Sequence, residues 1–170
     1  IASLAQIAAE VLGTAVESIE VVAGDTAAIS MGIGGFASRQ TITAGSSVLL
    51  AAREVNDKAR KVASQMLEVA AADLVLRNGN VEVRGIPEMS VPLTRIARML
   101  RGIPGYDLPQ DVGAGLEATV HWEPEAMAYA NAFHACEVEV DVETGGVKLL
   151  RYVAMQDSGR LVNPLIVEGQ

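Results

Sequence analysis

The residues best equipped for chemistry are gathered in one stretch, Gly32 to Ser47, where Gly32, Gly34, Gly35 and Gly45 alternate with Ser38, Arg39, Gln40, Thr41, Thr43, Ser46 and Ser47. Glycines let a backbone approach a ligand closely, hydroxyls and a guanidinium donate hydrogen bonds, and a following helix N-terminus adds unpaired N–H groups with partial positive charge. That combination makes an anion site, and phosphate is the anion it suits best. Arg39 has two readings: with Ser38 it offers a hydroxyl and a fork donor to a phosphate or carboxylate, or it pairs with Asp25 and pins the loop.

Other motifs are weaker. Gly32, Gly34 and Ala37 satisfy G-x-G-x-x-A, and Glu54 lies downstream at a distance that could serve a ribose. That fingerprint belongs in a tight strand-to-helix turn, whereas here about ten residues without strand character precede it and about ten more separate it from the predicted helix, so a Rossmann site is disfavoured. The chain lacks a Gly-Lys-Ser/Thr P-loop, a G-x-S-x-G elbow and an H-E-x-x-H pair. His134 shares strand parity with Cys136 and Val138 and reads as a hydrogen-bonded core histidine, while His121 reads as solvated. Glu137, Glu139 and Asp141 share a strand face, which a solvent-facing strand near a turn explains better than a metal site. No catalytic or metal-ligating residue is assigned within the chain.

The elements that must position these residues follow from periodicity. Ile1, Leu4, Ile7, Ala8, Val11 and Leu12 recur at helical spacing, with Gly13 placed to end the helix in a left-handed conformation. Ser18 to Val22 reads as a short strand, followed by a turn at Ala23-Gly24-Asp25-Thr26. From Ser47 a long amphipathic helix is predicted through Val48, Ala52, Val55, Ala59, Val62, Met66 and Val69, capped by Ser46 or Ser47. Asn78-Gly79 predicts a type I′ hairpin between Leu74–Arg77 and Asn80–Arg84. Ser90 and Pro92 introduce a short helix over Leu93 to Leu100, closed by Gly102. Beyond an irregular segment, strands are predicted over Leu116–Trp122, Ala132–Val142 and Val147–Met155, and Asn163-Pro164 opens a new helix. The expected class is α+β, with the long helix and the hairpin packed on a mixed or antiparallel sheet. Its expected organisation is a loop-bearing lobe over 1–102, a crossing segment over 103–115 and a strand lobe over 116–170.

Composition bounds the function. The 170 residues are 50% apolar but only 4% aromatic, so the core must be built from Ala, Val, Leu and Ile. A mean hydropathy of +0.29 points to faces meant for further polypeptide, since no stretch reaches the roughly 18–20 apolar residues of a membrane span. A net charge of −8 argues against nucleic acid as a partner. The lone Cys136 excludes an internal disulfide and a cysteine-held cluster within the chain and fits a reducing compartment. The chain begins on Ile1 without a cap and stops on an apolar run, so an interior piece of a longer protein is expected.

Four segments in order carry a resemblance: Val21-Val22-Ala23-Gly24-Asp25-Thr26, Gly34-Gly35-Phe36-Ala37-Ser38-Arg39-Gln40-Thr41, Val138-Glu139-Val140-Asp141-Val142-Glu143-Thr144-Gly145, and Asp157-Ser158-Gly159-Arg160-Leu161-Val162-Asn163-Pro164 with Val167-Glu168-Gly169-Gln170. Together they resemble the large, molybdopterin-binding subunit of the xanthine oxidase and aldehyde oxidase family of molybdenum hydroxylases, over essentially the whole chain. The resemblance implies a partial molybdopterin-binding domain and a molybdenum cofactor, often carried as molybdopterin cytosine dinucleotide. Its glycine-serine-arginine loop carries over onto Gly35, Ser38, Arg39 and Gln40. The turn at Asp157, Gly159, Asn163 and Pro164 matches a motif that shapes the approach to the cofactor.

The same resemblance implies hydroxylation of an aldehyde or N-heterocycle. The expected partners are the remainder of the large subunit and the subunits or domains carrying iron-sulfur clusters and FAD, in the cytoplasm or alternatively the periplasm. The family's upstream Gly-Gln-Gly and its glutamate base lie outside this chain, so the fragment alone is expected to be inactive. Two other classes stay open, a non-catalytic assembly module and a stand-alone nucleotide-binding protein.

Overall fold

A 28-residue helix, α2 (Gln40–Leu67), is the axis on which the first part of the chain is assembled. The structure is a computed structural model that describes residues 1–29, 32, 34–102, 108, 111–127 and 129–170. It separates into two compact units, Ile1–Glu123 and Pro124–Gln170.

In the first unit, α1 (Ala2–Leu12) packs along α2 through small residues: Ala5 and Ala9 are buried on α1, Gly45 and Ala52 on α2. Small side chains let the two backbones approach. A Cβ added to Gly45 would lie 3.1 Å from Ile7 Cδ1. Helix α1 ends as expected at Gly13, φ +58, where a Cβ would collide with the carbonyl oxygen of Leu76. Asn56 Nδ2 donates 2.7 Å to the Val11 carbonyl and so satisfies one orphan acceptor of that helix end.

Three antiparallel strands in order β1 (Leu74–Arg77), β2 (Asn80–Val83) and β3 (Ile86–Pro92) pack on the C-terminal half of α2. The Asn78-Gly79 hairpin forms as predicted, with φ values of 49° and 73° and Arg77 opposite Asn80. Strand β3, which contains Pro87 and Pro92, was not among the elements expected from the sequence. Both are tolerated because β3 is at the edge of its sheet, where unused N–H positions face outward. Its end leads directly into α3 (Leu93–Met99), close to the predicted short helix.

The core is aliphatic, as the composition required: Ala59, Val62 and Ala63 of α2 meet Leu74, Val81, Val83, Val91, Ile96 and Leu100. Full burial of each Val, Leu or Ile contributes about 1.5–3 kcal/mol, so the sheet and α2 hold each other in place. Arg60 stitches the junction by donating to the Ala71 carbonyl, while Ser64 Oγ donates 2.6 Å to the Val69 carbonyl just past the helix end.

Three expectations fail here. Residues 18–22 are not a strand; a single 3₁₀ turn, Val16–Ser18, leads into irregular backbone. Residues 116–122 form no strand either, because their alternation records packing on α2 and the core rather than a ladder; Leu116 lies against the core and the Trp122 amide donates to Ser47. The long helix starts at Gln40 and not at Ser47, so neither Ser46 nor Ser47 is a cap. Much of the crossing segment, residues 103–107, 109 and 110, lies outside the described residues.

The second unit is a hairpin of β4 (Asn131–Val140) and β5 (Val147–Asp157) followed by α4 (Pro164–Gly169). Phe133 faces Met155, Ala135 faces Val153 and Val140 faces Val147, with a register shift between Glu137 and Val138. The turn is held by Asp141, whose Oδ1 accepts from the amides of Glu143 (2.9 Å) and Thr144 (3.2 Å). Those two amides hold the exposed Asp141 carboxyl below its ordinary pKa. Asn163 Oδ1 caps α4 by accepting from the Ile166 amide at 3.2 Å, with Pro164 in the first turn, as the Asn-Pro pair predicted.

Candidate functional site

Among the described residues, Gly32 and Gly34–Arg39 form the approach to α2, and Gln40 begins the helix. The backbone there is unusual. Gly34 has φ +79, and Ala37 and Ser38 are consecutive left-handed residues at φ 54° and 51°. A left-handed residue bearing a Cβ costs about 1–2 kcal/mol, so two in succession mark a loop whose shape is held against local preference.

The loop closes on itself through its side chains. The Arg39 guanidinium stacks over the Phe36 ring at 4.0 Å from the centroid, while Phe36 remains 50% exposed. Gly35 is covered by the Gln40 side chain, whose carboxamide a Cβ at Gly35 would strike. Ser38 stands exposed between them. The structure therefore brings Gly35 against Gln40 and seats Arg39 beside Ser38 in sequence but on Phe36 in space.

The alternative pairing of Arg39 with Asp25 does not form. Asp25 Oδ1 accepts from the Ala27 amide at 2.9 Å, and the ion pairs among the described residues, Arg60–Asp57, Arg77–Glu82 and Lys148–Glu139, do not include Arg39. Among the described residues the Arg39 charge thus has no carboxylate partner.

Electrostatics favour an anion at this point. Residues 26–53 contain no Asp or Glu, in a chain whose net charge is −8, and Arg39 and Arg53 are the charged residues of that interval. Helix α2 has no side-chain cap at its N-terminus. The Arg39 carbonyl accepts from the amides of Ile42 and Thr43 at 3.0 Å each and from Thr43 Oγ1 at 3.2 Å, so the amides of Gln40 and Thr41 are the next donors the helix end offers. The carboxylate-free interval was legible in the sequence as a run of 26–53 without acids. The helix start was not, because Thr43 and Gly45 read as loop residues.

The remaining candidates separate from this loop. No parallel strand precedes Gly32 among the described residues, so the Gly32, Gly34, Ala37 fingerprint has no Rossmann turn to occupy. Glu54 lies 14 positions along α2 from Gln40, roughly 21 Å at 1.5 Å per residue, and lines a cleft of about 300 Å³ with Asp57, Lys58, Lys61 and Asp111. His134 is exposed rather than in a core; its Nδ1 is 2.8 Å from the Tyr152 hydroxyl, ring edge against ring face. Its strand partner in parity, Cys136, is exposed too, because both faces of the hairpin are uncovered. His121 is exposed as expected. Glu139 pairs with Lys148 across the strands and Asp141 is committed to its turn; no cluster among the described residues could hold a metal. At the Asp157 turn, the Gly159 amide donates 2.9 Å to Asp157 Oδ1 and Gly159 has φ +65.

The chain is a mixed α+β fold in which a glycine-serine-arginine loop, free of carboxylates, runs into an uncapped helix and offers a donor set that suits an anion. The chain belongs to the molybdopterin cofactor-binding domain family, whose sequence model matches residues 2–170. It is 36% identical over 166 residues to the carbon monoxide dehydrogenase large chain of Afipia carboxidovorans, covering 98% of this chain and 20% of that one. It is 38% identical over 168 residues to the nicotine 6-hydroxylase large subunit of Paenarthrobacter nicotinovorans, covering 99% and 20%. Among solved structures it superposes on quinoline 2-oxidoreductase from Pseudomonas putida 86 with a TM-score of 0.82 at 34% identity, covering 99% of this chain and 21% of that one. The Cu,Mo-containing CO dehydrogenase gives 0.80 at 34% identity, with 99% and 21% covered. The chain spans about a fifth of the length of these relatives.

Proposed function

We propose that this chain is a cofactor-binding segment of the large subunit of a molybdenum hydroxylase, and that Gly35, Ser38, Arg39 and Gln40 hold the phosphate-bearing part of its molybdopterin. The observation that carries the reading is the loop itself: consecutive left-handed residues, Ala37 and Ser38, present a hydroxyl and a guanidinium with no carboxylate partner among the described residues at an uncapped helix end. Neutral donors with one fixed positive charge fit a phosphate group, and a dinucleotide offers two. The cytosine dinucleotide is the form that the family resemblance implies.

Each residue has a distinct part. Gly35 lets the backbone lie under the Gln40 carboxamide, which keeps that amide group over the loop. Arg39 supplies a fork donor whose orientation is limited by Phe36. Ser38 adds a hydroxyl, and the α2 amides extend the donor row. These groups bind and orient; none is assigned a proton transfer. When bound, the molybdenum cofactor supplies the Lewis-acid and oxygen-transfer chemistry for hydroxylation at carbon of an aldehyde or N-heterocycle.

The same reading places iron-sulfur and flavin partners around the intact enzyme, consistent with a relative described as subunit gamma of a 6-hydroxypseudooxynicotine dehydrogenase complex. The exposed apolar side chains of β4 and β5, with Phe133 at 67% and Met155 at 72%, support burial against the remainder of the large subunit. No helix among the described residues is long and apolar enough to cross a membrane, and a cytoplasmic site is favoured on the lone cysteine.

The test is Arg39→Ala in the full-length protein. Loss of a charge-assisted hydrogen bond is worth about 1.5–3 kcal/mol, so retained molybdenum and pterin should fall about tenfold or more. Wild-type content in the purified variant would remove Arg39 from the site.

A further inference from the structure

Residues 111–123 run along α2 with no strand partner among the described residues, yet they are fastened at both ends. At the start, Val112 is buried, the Gly115 amide donates 2.7 Å to the Leu100 carbonyl, and Lys58 Nζ donates 3.2 Å to the Ala114 carbonyl. At the other end the Trp122 amide donates 3.2 Å to Ser47 Oγ. Between Lys58 and Ser47 the segment has travelled 11 helix positions toward the N-terminus of α2, roughly 16 Å. It is a strap laid antiparallel on the helix and delivered to the two turns that carry the loop.

Ser47 does more than receive the strap. Its hydroxyl donates 3.3 Å to the Thr43 carbonyl, and the Thr43 hydroxyl donates 3.2 Å to the Arg39 carbonyl. Three hydrogen bonds, the last two joined through the covalent frame of Thr43, therefore link the Trp122 amide to the carbonyl of Arg39, the residue that follows the two left-handed positions. A serine in a helix interior is a weak helix former, and an extended segment with no ladder must find acceptors for its amides elsewhere. Both oddities are explained by one contact.

We propose that the Val112–Trp122 strap is a positioning element for the cofactor loop, and that Ser47 is the positioning residue through which it acts. This rests on the reading of the loop given above. The strap holds the first two turns of α2 in register, so that Arg39 leaves the helix at the angle that keeps Ala37 and Ser38 left-handed. Without the Ser47 hydroxyl the loop relaxes, and the donors it presents must be reordered each time the cofactor binds.

The experiment compares Ser47→Ala, Ser47→Thr, Trp122→Pro and Arg39→Ala in the full-length subunit, reading retained molybdenum and pterin after gel filtration and amide exchange over residues 37–43 in cofactor-free protein. Ser47→Ala should retain about three- to tenfold less cofactor and exchange faster at 37–43. Ser47→Thr, which keeps the hydroxyl, should behave as wild type. Trp122→Pro, which removes the strap's donor and leaves Ser47 in place, should match Ser47→Ala and keeps the inference testable if that variant fails to fold. Wild-type retention in Ser47→Ala or Trp122→Pro alongside loss in Arg39→Ala would overturn the strap and leave the loop's role standing. Wild-type retention in all of them would remove both. An equal loss in Ser47→Thr would also overturn the strap, because the hydroxyl would then not be the cause.

Discussion

The Arg39 guanidinium lies 4.0 Å from the centre of the Phe36 ring, so the loop's one positive charge is held by an aromatic face and not by a carboxylate. That leaves its donors available to an anion while limiting the positions they can take. A cation–π contact at an exposed site is worth about 0.5–1 kcal/mol. Phe36→Ala should therefore lower pterin retention by the full-length subunit about two- to fivefold, with the melting temperature unchanged. Retention equal to wild type would show that the ring does not orient Arg39.

Gly35 is not among the residues with positive φ, so alanine there meets no backbone strain. Its Cβ would instead meet the Gln40 carboxamide, a flexible group that can move aside. Gly35→Ala should leave stability within about 1 kcal/mol of wild type and still reduce cofactor content, measured as molybdenum per polypeptide. A drop in stability with unchanged cofactor content would assign Gly35 to the fold.

Two other glycines should respond oppositely to alanine. At Gly13, φ +58 and a collision with the Leu76 carbonyl act together, and Gly13→Ala should cost about 2–4 kcal/mol. At Gly45 the Cβ would stand 3.1 Å from the movable Cδ1 of Ile7, and the gain in helix propensity, up to about 1 kcal/mol, offsets the crowding. Gly45→Ala should be within about 1 kcal/mol of neutral. Denaturant midpoints of the two variants in the full-length subunit decide the contrast.

The Asp141 carboxyl is held below its ordinary value of 3.8 chiefly by the Glu143 amide and then by Thr144. Because the folded pKa is lower than the unfolded one, the turn's contribution is present above the unfolded value and is lost as pH falls through the folded one. Carboxyl titration by NMR should give a midpoint under 3.8, with exchange at Glu143 and Thr144 rising only at more acid pH. A midpoint at or above the ordinary value would contradict the turn geometry.

What could be read from the sequence was local. Gly13, Asn78-Gly79 and Asn163-Pro164 each specify a backbone conformation within a few residues, and all three form as expected. The long helix was legible through its apolar spacing, but its first two turns were not. Thr43 and Ser47 look like loop residues until their hydroxyls are seen bonded to carbonyls four positions back, and Gly45 looks like a breaker until Ile7 is seen against it. Residues 116–122 alternate like a strand because one side packs inward, yet alternation cannot say whether a partner strand exists. In the loop, Ser38 and Arg39 could be named from residue type, while Gly35 and Gln40 came only through the family resemblance. The stacking of Arg39 on Phe36 and the left-handed pair at Ala37 and Ser38 needed the structure.

The most direct measurement is an experimental structure of the full-length subunit with its cofactor bound. Phosphate oxygens of the pterin should lie within about 2.7–3.2 Å of donors from Ser38, Arg39 or the amides at the start of α2. A cofactor whose phosphates are held elsewhere, with Arg39 still stacked on Phe36 and facing no anion, would contradict the assignment of this loop.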